Sequence, residues 1–398
     1  MDVRGTGRQI SLLIVAALIF VAGMGVGNGR ITELVHHGHA PVSKDLPATL
    51  DYSSVNQVYQ SLKDNYDGHV TQAQLMDGLK HGLAEATKDP YTVFFTAQEA
   101  TDFDKQLNNS FSGIGAQLGQ DKDKNLEIIS PISGLPAEKA GLKPLDIIAS
   151  INGTTTTGMS VDDAVSKIRG KKGTTVTLQI IRNKAEALTI KVVRDDITLP
   201  SVNTKTLDNN IGYMQITTFA DDTTELAQKA ADTFAGQHVK GIILDLRSDP
   251  GGLLDAAVHV SSLWLPAGQS ILQEKTGSTV VNSYASLGND KLHGIPTVVL
   301  VNSGSASASE ITAGALHDNQ AAYIIGEKSY GKGVVQQLIN FKDGSQLKVT
   351  VASWYRPDGE NINHKGISPD QTVKISDADA AAGTDTQLQA AQAYLASH

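Results

Sequence analysis

A serine and a lysine in the C-terminal half of this chain have the side chains and the surroundings that covalent catalysis requires. Ser307 follows a short β-branched segment over 297–301, which predicts a buried strand, and it opens a predicted helix over about 307–317. Lys332 lies between two glycines, which are typical of places where the backbone bends or is approached closely. A lysine accepts a proton only when it is neutral, so such a site must lower its pKa from about 10.4. Neutral Lys332 then takes the proton of a serine hydroxyl.

A glutamine is predicted to share the face of Lys332. Residues 334–341 have the pattern of an extended strand, and a period of two places Lys332, Val334 and Gln336 on one face. The amide of Gln336 is able to orient the amine without adding a negative charge, which would raise the pKa of the lysine.

Simpler interpretations of the same segments stay open. Ser307 and Glu310 fit the S-x-x-E capping box, in which the serine serves only as a helix N-cap, and Ser305 or Ser309 is then the alternative nucleophile. Residues 326–333 nearly match a phosphate-binding loop, but the last position is glycine where that loop needs a hydroxyl, and a strand follows instead of a helix.

Together these segments resemble a known family. Residues 301–311 (VNSGSASASEI), then 326–333 (GEKSYGKG) and Gln336, are similar to the carboxy-terminal (tail-specific) processing peptidases, which are serine proteases with a Ser–Lys dyad and a PDZ domain. The resemblance covers roughly residues 50–395. It implies that Ser307 is the nucleophile, that Lys332 is the base and that Gln336 assists the lysine, with no metal or organic cofactor.

The fold class expected from pattern and resemblance is a multidomain α+β and α/β protein. The resemblance implies a helical N-terminal region, a PDZ-like β-rich domain and an α/β catalytic core related to the crotonase-like fold. We place these domains at residues 51–100, 101–194 and 195–378, with a closing helix over 379–398.

Composition bounds the function classes. The chain has 398 residues, and 33 basic against 42 acidic residues give a net charge of −9, which does not favour nucleic-acid binding. There is no cysteine, which excludes a thiol nucleophile, disulfides and a lipid-modified cysteine.

The N-terminus predicts a single-pass membrane anchor over 10–27. Residues 10–26 carry no charge and follow Arg4 and Arg8, which place a cytoplasmic end at 1–9 and the catalytic part outside the cytoplasm. A cleaved signal peptide is the competing interpretation, but residues 21–25 lack a clean A-x-A site. The linker over 28–50 contains three histidines that fit a solvated tether better than a metal site.

Two amphipathic patterns follow the linker. Val55, Val58, Tyr59 and Leu62 recur at helical spacing, and Leu75, Leu79 and Leu83 do the same. The pattern alone predicts a small packing subdomain, and the family resemblance implies a homodimer formed through these helices.

Residues 101–194 are predicted to form a PDZ-like module that receives polypeptide C-terminal tails. The segment 135–148 (LPAEKAGLKPLDII) resembles the PDZ pattern of a helix that ends at glycine before a strand that begins at aspartate. The loop expected to bind a tail carboxylate through its backbone N–H groups is formed by Phe111, Ser112, Gly113, Ile114 and Gly115. Arg169 is a candidate for coupling tail binding to the catalytic site. A mere spacer module and a plain surface arginine are the alternatives.

A glycine-rich turn predicts an oxyanion hole. A strand over 241–246 runs into the sequence Asp249-Pro-Gly-Gly and a helix, whose free N–H groups bind anions. The resemblance implies that Gly251 or Gly252, with Ala308, donates to the oxyanion. The family usually has asparagine at the position of Asp249, and a turn needed only for packing is the alternative.

Two other function classes stay open at this stage. A Ser–His–Asp hydrolase would use His317 or His259 with Asp245. A non-catalytic PDZ scaffold would bind tails without cleaving them.

Overall fold

The protein is described from a computed structural model, which covers residues 46–47, 49–183 and 186–397. The chain divides into two units, residues 1–69 and 70–398. The predicted anchor over 10–27 and most of the linker lie outside the described residues. Within the described ranges, no helix is long and apolar enough to cross a membrane.

The first unit contains helix α1 (Ser53–Asn65). No residue of α1 is buried, and its apolar side chains Val58, Tyr59 and Leu62 are exposed. The helical spacing predicted for this segment is therefore present, with an apolar face open to solvent.

The second unit begins with two capped helices around a short strand. These are α2 (Gln72–Glu85), β1 (Val93–Phe95) and α3 (Ala97–Leu107). Thr71 and Thr96 each form a capping box with the third residue of the helix that follows, which satisfies N–H groups that a helix start leaves free.

The PDZ-like part is an antiparallel sheet with two helices. Strand β2 (Ser110–Gly113) leads into the sheet, whose order is β3-β4-β5-β7-β8 with β6 paired to β5. Its buried core includes Ile128, Ile148 and Leu178. The elements are β3 (Ala116–Gln120), β4 (Leu126–Pro131), α4 (Pro136–Lys139), β5 (Ile147–Ile151), β6 (Thr154–Thr155), α5 (Val161–Ile168), β7 (Thr175–Arg182) and β8 (Glu186–Val193).

The catalytic part is built on a mostly parallel sheet of order β10-β11-β12-β15-β16-β19. Only the β10–β11 pair is antiparallel. Its strands are β10 (Val202–Leu207), β11 (Ile211–Ile216), β12 (Gly241–Asp245), β15 (Thr297–Val301), β16 (Tyr323–Gly326) and β19 (Gln371–Thr372). Its helices are α6 (Thr223–Gly236), α7 (Leu254–Ser261), α8 (Ala308–Asp318), α9 (Asp377–Ala381) and α10 (Thr386–Ser397).

A second, antiparallel sheet completes the catalytic part. It contains β13 (Ser270–Thr276), β14 (Thr279–Ala285), β17 (Val334–Asn340) and β18 (Gln346–Tyr355). Strand β1 pairs with β18, with Phe94 opposite Leu347. The segment that we assigned to a helical N-terminal region therefore also supplies an edge of the catalytic sheet.

Parallel pairing brings two turns to the same edge. Strands β12 and β15 are adjacent and fully buried, with Asp245 opposite Leu300. The carboxyl ends of adjacent parallel strands lie at the same edge of the sheet, where α/β proteins place their ligand sites. The turn after β12 therefore meets the turn after β15.

Candidate active site

Ser307 lies in a strained turn between β15 and α8. Its φ of 53° and ψ of −113° are unusual for a residue with a side chain. Such strain persists only where surrounding structure enforces it, and it is typical of nucleophiles held at a strand-to-helix turn. The conformation separates Ser307 from an ordinary N-cap, which has β-region dihedrals.

The hydroxyl groups of the other two serines of the turn donate hydrogen bonds to main-chain carbonyls. Ser305 is fully buried, and its hydroxyl donates to the carbonyl of Leu246 at 2.7 Å. Ser309 is also fully buried and donates to the carbonyl of Asp249 at 3.0 Å. Ser307, in contrast, lines an open cleft.

Glu310 forms a capping box with Ser307. Its Oε2 accepts from the backbone N–H of Ser307 at 3.0 Å. The Ser307 side chain faces the backbone N–H of Glu310, but the contact does not reach full hydrogen-bond geometry. The cap therefore fixes the backbone of Ser307 and leaves the proton of its hydroxyl available for transfer.

Lys332 lies in the loop between β16 and β17, where its neighbours must be glycine. A Cβ at Gly331 would lie 2.7 Å from the N atom of Gly366, and one at Gly333 would lie 2.5 Å from the N atom of Asn363. The Lys332 carbonyl accepts from the Trp354 indole at 2.8 Å. The flanking glycines thus allow another backbone segment to pack against the loop and hold it.

Burial makes Lys332 a usable base. It lowers the pKa of Lys332 from 10.5 to about 8, and the charge of Lys348 contributes in the same direction. Glu310 and Asp89 oppose this shift. The Nζ atom lies 5.2 Å from the ring centroid of Tyr91. A substantial fraction of Lys332 is therefore neutral near pH 8, whereas an ordinary lysine would be almost entirely charged.

The Glu310 carboxylate joins the serine turn to the lysine loop. Oε2 accepts from the N–H of Lys332 at 2.9 Å as well as from that of Ser307. Oε1 accepts from the N–H of Gly331 at 2.7 Å and from the hydroxyl of Ser329 at 2.6 Å. Burial raises the pKa of Glu310, and these four donors oppose that effect by favouring the charged form.

Gln336 reaches the same cleft but contacts a different partner. It lies opposite Thr350 in the β17–β18 pair, next to a register shift, and its Nε2 lies 3.5 Å from Thr350 Oγ1. Lys332, Val334 and Gln336 all line the cleft. The predicted contact between the Gln336 amide and the lysine amine is absent from the hydrogen bonds of the described residues.

One of the predicted oxyanion donors is already occupied. The N–H of Gly251 donates to Oδ1 of Asp249 at 2.8 Å, so it is unavailable to a substrate in this arrangement. The N–H groups of Gly252 and Ala308 have no acceptor within the described part of the chain. Of the predicted oxyanion donors, Gly252 and Ala308 therefore remain as candidates with a free N–H group.

Close packing against Ser307 requires glycine in this turn. Gly251 has a φ of 95°, and a Cβ there would lie 2.8 Å from the Cβ of Ser307 and 2.9 Å from the N atom of Ala308. At Gly252, with a φ of 146°, a Cβ would lie 2.2 Å from the carbonyl oxygen of Phe219. The turn after β12 therefore touches the turn that carries Ser307 through backbone atoms.

These parts meet in a cleft of about 390 Å³. Among the described residues, the charged groups that line it are two lysines, Lys332 and Lys348, without a carboxylate. The residues predicted for the catalytic site that line it are Ser307, Lys332, Gln336, Gly251 and Gly252.

The structure argues against the Ser–His–Asp alternative. His317 lies at the far end of α8, where its ring nitrogens are 3.1 Å from carboxylate oxygens of Asp318 and Asp370. His259 is exposed, and the Asp245 carboxylate is held by Tyr213 and Arg247. Neither histidine lines the cleft.

The predicted tail-binding loop is divided between two elements. Phe111 and Ser112 lie in β2, paired with strand β9 (Asp195–Thr198), and Ser112 donates to the Asp196 carboxylate at 3.1 Å. Gly113 ends β2. Ile114 and Gly115 form the turn into β3, and their N–H groups have no acceptor among the described residues. Arg169 lies with its guanidinium carbon 4.7 Å from the centroid of the Phe111 ring.

Two residues that shape the candidate site were missed by sequence reasoning. Glu310 was recognised only as a possible cap, because its bonds to Gly331 and Lys332 join segments far apart in the chain. Lys348 lies near the start of β18, and no local pattern distinguishes it from a surface lysine.

Comparisons with known proteins agree with this geometry. The family model of peptidase family S41 matches residues 210–373, and that of the PDZ domain matches residues 101–181. Carboxy-terminal processing protease CtpA of Bacillus subtilis (strain 168) is 41% identical over 328 residues, which are 82% of this chain and 70% of that protein. The chain belongs to peptidase family S41.

Two further similar proteins support the assignment of this chain to peptidase family S41. Carboxy-terminal processing protease CtpB of the same bacterium is 34% identical over 385 residues, covering 93% of this chain and 78% of that protein. A solved structure of a photosystem II D1 C-terminal processing protease covers 81% of this chain and 87% of its own, with a TM-score of 0.51 and 29% identity. The predictions of a carboxy-terminal processing serine peptidase and of a mixed α/β fold with a PDZ domain are confirmed.

Glu310→Gln should reduce kcat by about 100-fold or more while leaving the chain folded. The glutamine amide nitrogen is a donor and cannot accept from N–H groups. The hydrogen bonds that one carboxylate oxygen makes are therefore lost, and each buried N–H group left unpaired costs the folded state about 1–3 kcal/mol. Steady-state kinetics and thermal unfolding measure both effects. Glu360→Gln, at an exposed carboxylate, is the matched control. Near-normal turnover of Glu310→Gln would refute the bridging role.

Lys348→Met should raise the pKa of Lys332. The charge of Lys348 lowers the pKa of Lys332, so its removal raises that pKa, by less than about one unit because burial is the larger cause. NMR titration of the labelled Lys332 side chain measures the shift, with the exposed Lys342→Met as control. A Lys332 midpoint that stays in place would show that the two amines do not interact.

Proposed function

We propose that this peptidase captures polypeptide C-terminal tails in its PDZ domain and cleaves the polypeptide near them with a Ser307–Lys332 dyad. One observation carries the proposal: a strained serine with an uncommitted hydroxyl and a buried lysine with a lowered pKa line one cleft. Neither group requires a metal or an organic cofactor for the reaction proposed.

The reaction begins with transfer of the Ser307 hydroxyl proton to neutral Lys332. The Ser307 Oγ bonds to the carbonyl carbon of the scissile peptide, and the electron pair of the carbonyl moves onto its oxygen. The N–H groups of Gly252 and Ala308 stabilise this oxyanion, each contributing about 2.7–4 kcal/mol. Protonated Lys332 then donates to the leaving amine as the C–N bond breaks.

Water completes the cycle. Lys332, neutral again, takes a proton from a water molecule whose oxygen attacks the acyl ester. The ester C–O bond breaks, and protonated Lys332 donates the proton that it took from water to the Ser307 oxygen. Gln336, held near Thr350, assists by presenting a polar, uncharged group at the cleft wall.

The PDZ groove receives the tail between an edge strand and a helix. Strand β3 is at the edge of its sheet and packs near α5, with Gln120 Nε2 3.3 Å from the carbonyl of Met159. A chain end adds to such an edge as a further strand, and its carboxylate binds the free N–H groups of Ile114 and Gly115. The position of Arg169 over Phe111, in the strand before this loop, supports a role for Arg169 in coupling.

The location of the enzyme is proposed from sequence alone. The uncharged segment 10–26 after Arg4 and Arg8 anchors the chain by a single pass in the cell membrane, with the catalytic part outside the cytoplasm. Membrane fractionation with protease protection tests this, and recovery of the intact chain in the soluble fraction would contradict it.

A peptide assay tests the catalytic proposal. A fluorogenic peptide with an apolar C-terminal tail should be cleaved by the wild type, and Ser307→Ala and Lys332→Ala should each lose about 1,000-fold or more in kcat. His317→Ala should retain activity because its ring lies outside the cleft. Loss of activity in His317→Ala with retention in Lys332→Ala would favour the triad, and absence of hydrolysis with intact tail binding would favour a scaffold.

The same assay tests tail recognition. Amidation of the peptide C-terminus removes the carboxylate and should lower kcat/KM by about tenfold, because charge-assisted hydrogen bonds to the loop are lost. Arg169→Ala should lower the stimulation that a free tail gives, and Arg169→Lys should retain part of it. If amidated and free peptides are cleaved equally by all three proteins, the tail does not act through this loop.

We propose a homodimer formed through the N-terminal helices. Exposed apolar side chains on α1 and α2, among them Leu62, Leu79 and Leu83, support this contact. Sedimentation should give a dimer mass for the wild type and a monomer mass for Leu79→Glu, with Gln72→Glu as the exposed control on the same helix. A monomeric wild type would contradict the proposal.

A further inference from the structure

Asp249 begins the glycine-rich turn over residues 249–252, which contains the proposed oxyanion donor Gly252. Both its side chain and its main-chain carbonyl accept hydrogen bonds from nearby turns. Its Oδ1 accepts the Gly251 N–H at 2.8 Å. Its main-chain carbonyl accepts from the N–H of Ala306 and from the hydroxyl of Ser309, both at 3.0 Å. One residue therefore connects the turn after β12 to the turn that carries the nucleophile.

Among the described residues, the second oxygen of this carboxyl group has no hydrogen-bond partner. Asp249 is 0% exposed, and its Oδ2 makes no hydrogen bond within the described ranges. A buried carboxylate oxygen with neither donor nor cation is costly, whereas a protonated carboxyl group costs much less. Burial raises the pKa of Asp249 to about 7.

Nearby charged groups are engaged elsewhere. The Arg247 guanidinium binds the carboxylates of Asp245 and Asp385. The Glu310 carboxylate, on the nucleophile turn, is directed at the lysine loop. The groups that hydrogen-bond to Asp249 are the backbone of Leu246, Gly251 and Ala306 and the hydroxyl of Ser309, and all of them are neutral.

We propose that Asp249 is a positioning residue that acts as an uncharged carboxyl group, holding the Gly251 amide so that the Gly252 N–H faces the reacting carbonyl. This inference rests on the proposed function. When Asp249 ionises, its negative charge lies buried two residues from Gly251 and opposes the negative charge that develops on the oxyanion. The peptidase is then switched off on the alkaline side.

Asp249 and Lys332 make opposite demands on pH. Activity requires Asp249 protonated, which is favoured below about pH 7, and Lys332 neutral, which is favoured above about pH 8. The competent form is therefore a minor fraction at every pH, and kcat/KM follows a bell. An asparagine at this position would have no such alkaline limit.

The test compares Asp249→Asn with the wild type across pH. The amide oxygen still accepts from the Gly251 N–H, but the group no longer ionises. The wild type should give a bell, and Asp249→Asn should give a profile that rises to a plateau, exceeding the wild type about tenfold or more at pH 9. Asp249→Ala, which leaves the Gly251 N–H unpaired, should be impaired at every pH.

A second readout is independent of catalysis. Because the folded state raises the pKa of Asp249, its ionisation destabilises the fold, and the penalty grows from about pH 4 to about pH 7. The melting temperature of Asp249→Asn should therefore rise relative to the wild type over this range. Carbon NMR of labelled aspartate should show one carboxyl group titrating near 7 that Asp249→Asn lacks.

The outcomes separate the two proposals. A carboxyl group that titrates below about pH 5, or an alkaline limb that persists in Asp249→Asn, overturns the role of Asp249. Absence of hydrolysis by the wild type at every pH contradicts the proposed function instead, and the NMR titration still decides whether Asp249 is uncharged.

Discussion

The site depends on one buried carboxylate. Glu310 accepts from the backbone of Ser307 and Lys332, which belong to loops after different strands, and from Ser329 and Gly331. A buried charge is expensive unless it is fully hydrogen-bonded, and four donors meet that condition. Three of these bonds come from backbone N–H groups and one from the Ser329 hydroxyl, so the carboxylate fixes the backbone from which the Ser307 and Lys332 side chains start without binding the Ser307 hydroxyl or the Lys332 amine.

The buried Lys332 amine itself lowers the stability of the folded state. A lysine whose pKa falls from 10.5 to about 8 costs the folded state on the order of 3 kcal/mol at neutral pH, and the cost disappears only above about pH 10. The buried parallel sheet and the indole bond from Trp354 hold the loop despite that penalty. The free-energy cost of burying Lys332 is therefore offset by packing elsewhere in the fold.

Sequence reasoning succeeded where the signal was local. The buried strand before Ser307, the helix after it and the glycines beside Lys332 follow from short-range pattern and from the steric needs of the backbone. The closing helix was also predicted, and it is present as Thr386–Ser397. Resemblance to the family supplied the pairing of Ser307 with Lys332, which no periodicity reveals.

What sequence reasoning missed depends on contacts between distant segments. Strand β1 pairs with β18, more than 200 residues later, and a three-residue strand carries too little pattern to be recognised. The sequence also did not predict that the Gly251 N–H is already hydrogen-bonded to Asp249. It shows which turn is glycine-rich, but not which N–H group of that turn binds a neighbouring side chain. The electrostatic effect of Lys348 on Lys332 likewise arises only when folding brings β18 and the loop before β17 to the same cleft.

The proposed chemistry depends on Lys332 being an amine that is substantially neutral near pH 8 in the cleft that Ser307 also lines. The most direct measurement is the NMR titration of the Lys332 side chain in selectively labelled protein, assigned by its loss in Lys332→Ala. The account predicts a midpoint near pH 8. A midpoint near 10.5, the value of a solvated lysine, would contradict it.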